Sequence, residues 1–256
     1  MFANLTPKFE KGRILKTAML ESLRDYPREL ADIYYREYAD GIITGAQVAV
    51  GVDTLTVQPG LIKHGGQLYM LSEPAILTYL ATGWETVVKV RFLEGTEDGD
   101  WVVGRSEIVL DERLELAADE LELCRFKLKT GARLRQDYQN FRDLATEYNT
   151  VNLLYAPAAA YGQSTLLPAV MRLFGDELLR RGSTDPQDLA FAMMCLNDGV
   201  LHRSVILHYI AGRLGMAYRD YRNADIHKHL LRILDSNRGG GRKGLSPGSA
   251  GRMIVD

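Results

Sequence analysis

GIITGAQVAVGVDTLTVQPGLIKHGGQLYML, residues 41–71, decides the architecture of this chain. Its apolar residues recur with a period of two. Val48 and Val50 alternate with Gln47 and Ala49, and Leu55 and Val57 with Thr54, Thr56 and Gln58, before Pro59-Gly60 turns the chain. Such alternation puts successive side chains on opposite faces of a strand. Leu61-Ile62 and Leu68–Leu71 flank His64-Gly65-Gly66. A Gly-Gly pair between two apolar runs predicts a tight hairpin, because primed turns need φ > 0 at both central positions. His64 is expected as an exposed residue of its tip.

Moving outward, TVVKVRF (86–92) and WVVGRSEIVL (101–110) read as further strands joined by the acidic loop EGTEDGD (94–100). Between them and the hairpin, EPAILTYLATG (73–83) fits a strand or a short helix. In ELELCRFKLKTGARLRQ (120–136), Leu121, Leu123, Phe126 and Leu128 alternate imperfectly with charges, which favours a strand over a helix, with Glu120 and Glu122 on its wet face. Before residue 41 the period is helical. Ile14, Ala18 and Ser22 make one row and Leu15, Met19 and Leu23 the next; Leu30, Ile33, Tyr34 and Tyr38 follow. Pro27 ends that segment or opens a second one, and Gly41 is the expected cap. Beyond Asp137 most segments carry apolar residues three and four apart. Asp185-Pro186 with Asp188 marks a helix start, and Gly182 and Gly215 mark stops. The Gly-rich end GGGRKGLSPGSAGRM cannot bury enough apolar surface to order itself. The expectation is an α+β protein: an N-terminal helical segment (1–40), a small antiparallel β-module (41–135), a helical module (136–236) and a disordered basic tail (237–256).

Composition bounds the task. The 256 residues are 46% apolar and 25% charged with a formal charge of −2, enough for a real core and without the basic excess of a dedicated nucleic-acid binder. That charge is unevenly spread: residues 41–112 hold 4 Lys and Arg against 10 Asp and Glu, a net of −6, leaving about +4 elsewhere. Cys124 and Cys195 form neither a disulfide framework nor a CxxC site. No apolar run approaches the roughly 18–20 residues of a membrane span, and MFANLTPKFEKGR lacks the apolar stretch of a signal peptide, so a cytoplasmic protein is expected.

No catalytic or metal-ligating set emerges. His202 and His208 stand six apart, about 240° around a helix, and His227 and His229 point to roughly opposite faces, as a solvated HKH would. The tail GGGRKGLS fails the phosphate-loop spacing because Gly244 follows Lys243. No cofactor or metal is expected. Tyrosine is abundant, at 13, and its broad amphipathic ring suits interfaces as well as cores. Tyr34, Tyr35 and Tyr38, with Lys63, His64 and Tyr69 of the hairpin, are the interface candidates.

The order of these blocks resembles tail- and baseplate-associated structural proteins of contractile-tailed phages and phage-tail-like particles. There a G-[IV]-[IV]-[ST]-G strand leads to a TV-x-PG strand and a G-[GD]-x-x-Y hairpin, as GIITG, TVQPG and GGQLY do here. DELELCRFKLKTGARLR (119–135) is similar to the segment that follows, and residues 137–178 resemble its helical continuation. Cys124 stands where that formula has a small residue. The resemblance covers roughly residues 1–235 and implies a non-enzymatic role in which the chain docks other tail or baseplate proteins, as an oligomer or hetero-complex. It would be assembled in the cytoplasm and carried in the virion or particle, with nucleic acid an unlikely partner. Two rival readings remain open from the residues alone: a cell-wall glycan hydrolase using distant Asp and Glu carboxylates, and an adaptor that contacts nucleic acid through the basic tail.

Overall fold

A computed structural model of the chain describes residues 4, 6–99, 101–197 and 199–237, and the fold is α+β. The basic tail lies, past Asn237, outside the described residues. The N-terminal segment holds one helix, α1 (Thr17–Tyr34), which runs through Pro27 and ends at the cap Tyr35. Proline neither ends this helix nor starts a second. Gly41 is not its cap; it opens β1 (Gly41–Gly45).

The alternating stretch then forms β2 (Val48–Val50), β3 (Thr54–Val57), β4 (Gly60–His64), β5 (Gln67–Leu71) and β6 (Ala75–Thr78), so EPAILTYLATG contains a strand. The predicted hairpin is present: β4 and β5 pair in register Ile62↔Tyr69 around Gly65 and Gly66, whose φ of 56° and 77° suit glycine. The two glycines of the GIITG and PG formulas meet across the ladder as Gly45↔Gly60. A Cβ on Gly60 would lie 2.3 Å from the Ala46 nitrogen, so the formula encodes a close backbone approach.

Longer strands follow: β7 (Glu85–Phe92), β10 (Ser106–Asp111) and β11 (Glu120–Lys127); between the first two lie β8 (Thr96–Asp98), in what reads as the acidic loop, and β9 (Trp101–Val103), so the strand read over 101–110 is split in two. Beyond residue 136 two-residue strands, β12 (Pro157–Ala158) and β13 (Thr165–Leu166), add to the sheet of β1. The sheets have the orders β13-β12-β1-β4-β5, β10-β7-β11, β2-β3-β6 and β8-β9. The β-module is therefore not wholly antiparallel, since β1 pairs β12 in parallel.

The helical part contains α2 (Pro168–Arg180), α3 (Pro186–Leu196), α4 (Arg203–Leu214) and α5 (Asn223–Ser236). Local chemistry sets their ends as the sequence predicts. The Asp185 side chain accepts from the Gln187 N–H at 2.8 Å with Pro186 in the first turn, and Gly215 closes α4 at φ 61°. Two apolar clusters result. Leu55, Val88, Leu123 and Phe126 belong to the β-cluster, and Phe141, Phe174, Ile206 and Leu230 to the helical one. Burying each such side chain is worth about 1.5–3 kcal/mol.

Polar residues that read as wet are inside. Glu120 and Glu122 are buried in β11, whose outer edge is paired to Asn152. Glu120 accepts from Lys89 at 2.8 Å, from Arg91 at 3.2 Å and from the Ala117 N–H at 3.0 Å; Lys89, fully buried, also meets Asp111 at 2.7 Å. Burial by itself would push the Glu120 carboxyl up, but these donors outweigh it and hold it at about 2. Glu122 goes the other way, raised by burial despite its bidentate pairing with Arg125. His227 and His229 are buried too, because both sides of α5 are covered. His227 Nε2 donates to the Phe141 carbonyl at 2.9 Å, and His229 packs on Tyr221 with ring centroids 4.6 Å apart. Asp188, read as a helix-start acid, is also buried, accepting from Tyr209, Arg213, Ser183 and Asn237.

Candidate docking surface

The six interface candidates fall into two contact groups, Tyr34, Tyr35 and Tyr38 with Lys63 at the end of α1, and His64 with Tyr69 on Phe92. Tyr34 and Tyr35 meet edge to face at 4.8 Å, and Tyr35 and Tyr38 at 5.2 Å, where α1 runs out. Beneath them Lys63 reaches up from β4. Its Nζ donates to the carbonyls of Tyr35 at 2.6 Å, Arg36 at 2.8 Å and Tyr38 at 2.6 Å. These groups lie at and just beyond the helix end, where carbonyls lack intrahelical donors and a cation is favoured. Lys63 is only 5% exposed, so it acts as a clamp between α1 and the sheet rather than as an open surface charge.

The hairpin supplies the other half. His64 is not an exposed turn residue: its ring stacks on Phe92 at 3.9 Å with planes 4° apart, and its Nδ1 lies 3.6 Å from Asp40. Asp40 also accepts from the Gly65 N–H at 2.9 Å, tying the turn to the exit from α1. Tyr69 meets the same Phe92 at 4.6 Å. The strand after α1 is held as well, with Ala39 N–H donating to the Ala160 carbonyl at 2.9 Å.

What the clamp holds in place is an uncovered helix. α1 is amphipathic over 18 residues and has no buried residue. Leu20, Leu23, Pro27, Leu30 and Tyr34 stand three and four apart and form one stripe. Leu23 and Leu30 are 52% and 57% exposed. A helix of this length is marginal in water on propensity alone, and most helices gain stability from packing the apolar face.

Beside α1 lies an open cleft of about 800 Å³, bounded by Arg28, Ala31 and Asp32 of the helix and by strands of three sheets. Its lining includes one carboxylate, Asp32, among the described residues. A smaller hollow of about 190 Å³ has Glu85 and Glu147 in its wall, each facing a cation: Arg125 at 3.8 Å and Lys127 at 3.0 Å. Cys124 and Cys195 are buried, and burial pushes both thiols up, Cys195 to about 12, far from the thiolate a nucleophile needs. Among the described residues no three His, Cys, Asp or Glu side chains gather as a metal site would, and no helix is long and apolar enough to cross a membrane. His202 caps α4, accepting from the Ser204 N–H at 3.3 Å, and His208 stacks on Tyr218 at 4.4 Å.

No protein-family model matches the chain, and no curated protein matches its sequence. Solved structures are similar in chain course. A crystal structure of TssK aligns with 92% of this chain and 70% of its own, at 12% identity and a TM-score of 0.45. A chain of the type VI secretion TssK-TssF-TssG baseplate subcomplex aligns over 92% of this chain and 100% of that one, at 11% identity and a TM-score of 0.38. A chain of the baseplate complex from the type VI secretion system aligns over 91% and 100%, at 13% and 0.36. These values describe a loose likeness of chain course, and no residue role follows from them.

Proposed function

We propose that this chain is a non-enzymatic structural component of a contractile phage tail or tail-like particle, a baseplate or fibre-attachment protein that works by docking other proteins. The observation that carries the docking role is α1: an amphipathic helix with no buried residue, fastened at one end by a buried lysine. A chain that exposes Leu20, Leu23, Leu30 and Ile33 on one helix carries an apolar surface whose cover comes from elsewhere. The Tyr34–Tyr35–Tyr38 cluster extends that surface with large rings of low conformational freedom. The contractile-tail class is taken from the sequence formulas of residues 41–71 and 119–135.

Light scattering coupled to size exclusion tests this, on the full chain alone and co-expressed with the tail proteins encoded beside it. The wild type is expected as a defined oligomer or complex. Leu23→Glu with Leu30→Glu is expected to abolish that assembly while changing the unfolding free energy of the free chain by no more than about 0.5 kcal/mol, as exposed substitutions do. A strict monomer that joins no neighbour and cleaves a cell-wall glycan would overturn the reading.

A further inference from the structure

The cleft beside α1 is bounded in two different ways. Its floor is the apolar face of the β10-β7-β11 sheet, formed by Val90, Ile108 and Leu123. β10 contributes Ser106 and Ile108, alternate residues, as one face of a strand does. β5 and β6 instead contribute consecutive residues, Gln67 through Leu71 and Ala75 through Leu77. Gly60–Ile62 of the inner strand β4 line it in the same way, and since successive side chains point to opposite faces, the cleft reaches both faces of the sheet past the outer strands β5 and β6. Both are the last strands of their sheets, and among the described residues no backbone hydrogen bond reaches the outer side of either. Met70 and Ile76, one on each strand, are 76% and 71% exposed. The walls are thus two unmade rows of N–H and C=O groups above an apolar floor, a combination that folded proteins normally cover, shorten or charge.

We infer that this cleft is a strand-insertion slot for an extended segment of a partner protein, apolar at alternate positions and flanked by Lys or Arg. The edges call for another backbone, and the floor calls for every second side chain to be apolar. Size agrees. At about 3.3 Å per residue, 4.8 Å between strands and 10 Å between layers, five residues of extended chain occupy about 800 Å³, so a cleft of about 800 Å³ has room for a short strand. Charge sets the flanks. Residues 41–112 carry a net −6, and Glu73 on the β5–β6 connection and Asp53 make no ion pair among the described residues. At the mouth Arg28 and Asp32 offset each other. A helix advances about 100° per residue, so the cleft-side residues Arg28, Ala31 and Asp32 centre about a third of a turn from the Leu20–Leu23–Leu30 stripe. The slot therefore stands or falls independently of docking through that stripe.

The test pans a display library of random dodecapeptides on the immobilised full chain and then measures the enriched peptide, synthesised alone. Enriched sequences are expected to share alternating apolar residues with Lys or Arg at the ends. Ile108→Arg in the floor, and independently a proline at the central inward position of the peptide, are each expected to weaken binding at least about tenfold. Hydrogen exchange should show the β5 and β6 edge amides fast in the free chain and slowed by the peptide. No enrichment, peptides without alternation, or binding that tolerates both changes would overturn the proposal. So would edge amides already protected in the free chain: concentration-independent protection assigns the slot to the chain's own tail, and concentration-dependent protection to a second copy.

Discussion

α1 and α5 are equally amphipathic, and they meet opposite fates. α5 buries Ile226, Leu230, Ile233 and Leu234 against Phe141, Phe174 and Ile206, whereas α1 buries nothing. An apolar stripe states that something covers a helix, not that the same chain supplies the cover. The sharpest way to break the pairing is to truncate one leucine on each. Leu230→Ala removes a side chain with no exposed surface and should cost about 2–5 kcal/mol in denaturant unfolding, the transfer loss plus the cavity left behind. Leu23→Ala, half exposed, should cost no more than about 0.5 kcal/mol in the free chain. Equal losses would mean that α1 is packed in solution after all.

The next largest effect concerns how an uncovered helix is kept in place. α1 depends on Lys63, whose three hydrogen bonds to carbonyls are charge-assisted but whose ammonium sheds its water to make them. Lys63→Met keeps the stem and leaves those carbonyls without their donor. The expected net cost is about 2 kcal/mol, falling on α1 rather than on either core. Since 1.4 kcal/mol is tenfold, tryptic cleavage at Arg24 and Arg28 should quicken about thirtyfold while the global midpoint hardly moves. Unchanged cleavage would show that the Tyr38–Tyr161 bridge and the Ala39 hydrogen bond suffice to hold the helix.

This contrast also explains what could be read from the sequence. Features set by neighbours in the chain were legible: the β4–β5 hairpin from Gly65-Gly66, the start of α3 from Asp185-Pro186, the stop of α4 from Gly215. Features set by remote partners were not. Glu120 and Glu122 alternate with leucines as solvated residues do, and it takes Lys89 and Arg91, some thirty positions earlier, with Arg113, the Ala117 N–H and Arg125 nearby, to make burial tolerable. The facing rule correctly separates His227 from His229, but nothing periodic reports that Phe141 covers one side of α5 and Tyr221 the other. β12 and β13 are two residues each, too short for any period to register. Of the candidate surface, the tyrosines and hairpin were visible as residue types, while the contacts that Lys63 makes with the end of α1 and Phe92 makes with His64 and Tyr69 were not. The slot left only an indirect trace, the Glu73-Pro74 break that separates two edge strands.

A smaller effect separates the two helices by pH. Burial holds the imidazoles of His227 and His229 below the ordinary histidine value; Arg142 and Lys228 add repulsion at His227, as do Arg232, Arg219 and Lys228 at His229, where Asp225 opposes them. In the unfolded chain both rings bind a proton near pH 6.5, while the folded chain binds them only at lower pH. Below about pH 6.5 the unfolded state therefore holds more protons, so the stability these rings contribute is complete above that value and is lost progressively as pH falls. α1 contains no histidine and should not respond. A global midpoint would blur the difference, because Glu122, raised by its own burial, works in the opposite sense: acidification favours its folded, protonated form. Local hydrogen exchange keeps the two apart. Between pH 7.5 and 5.5, after correction for the intrinsic rate, α5 amides should open more readily and α1 amides should not. His227→Gln, whose amide still reaches the Phe141 carbonyl, should flatten the α5 response by about half, since one of two similarly buried rings no longer titrates. An α5 response that survives this change at full size would place the pH sensitivity in His229 alone, the ring whose buried Nδ1 has no hydrogen-bond partner among the described residues.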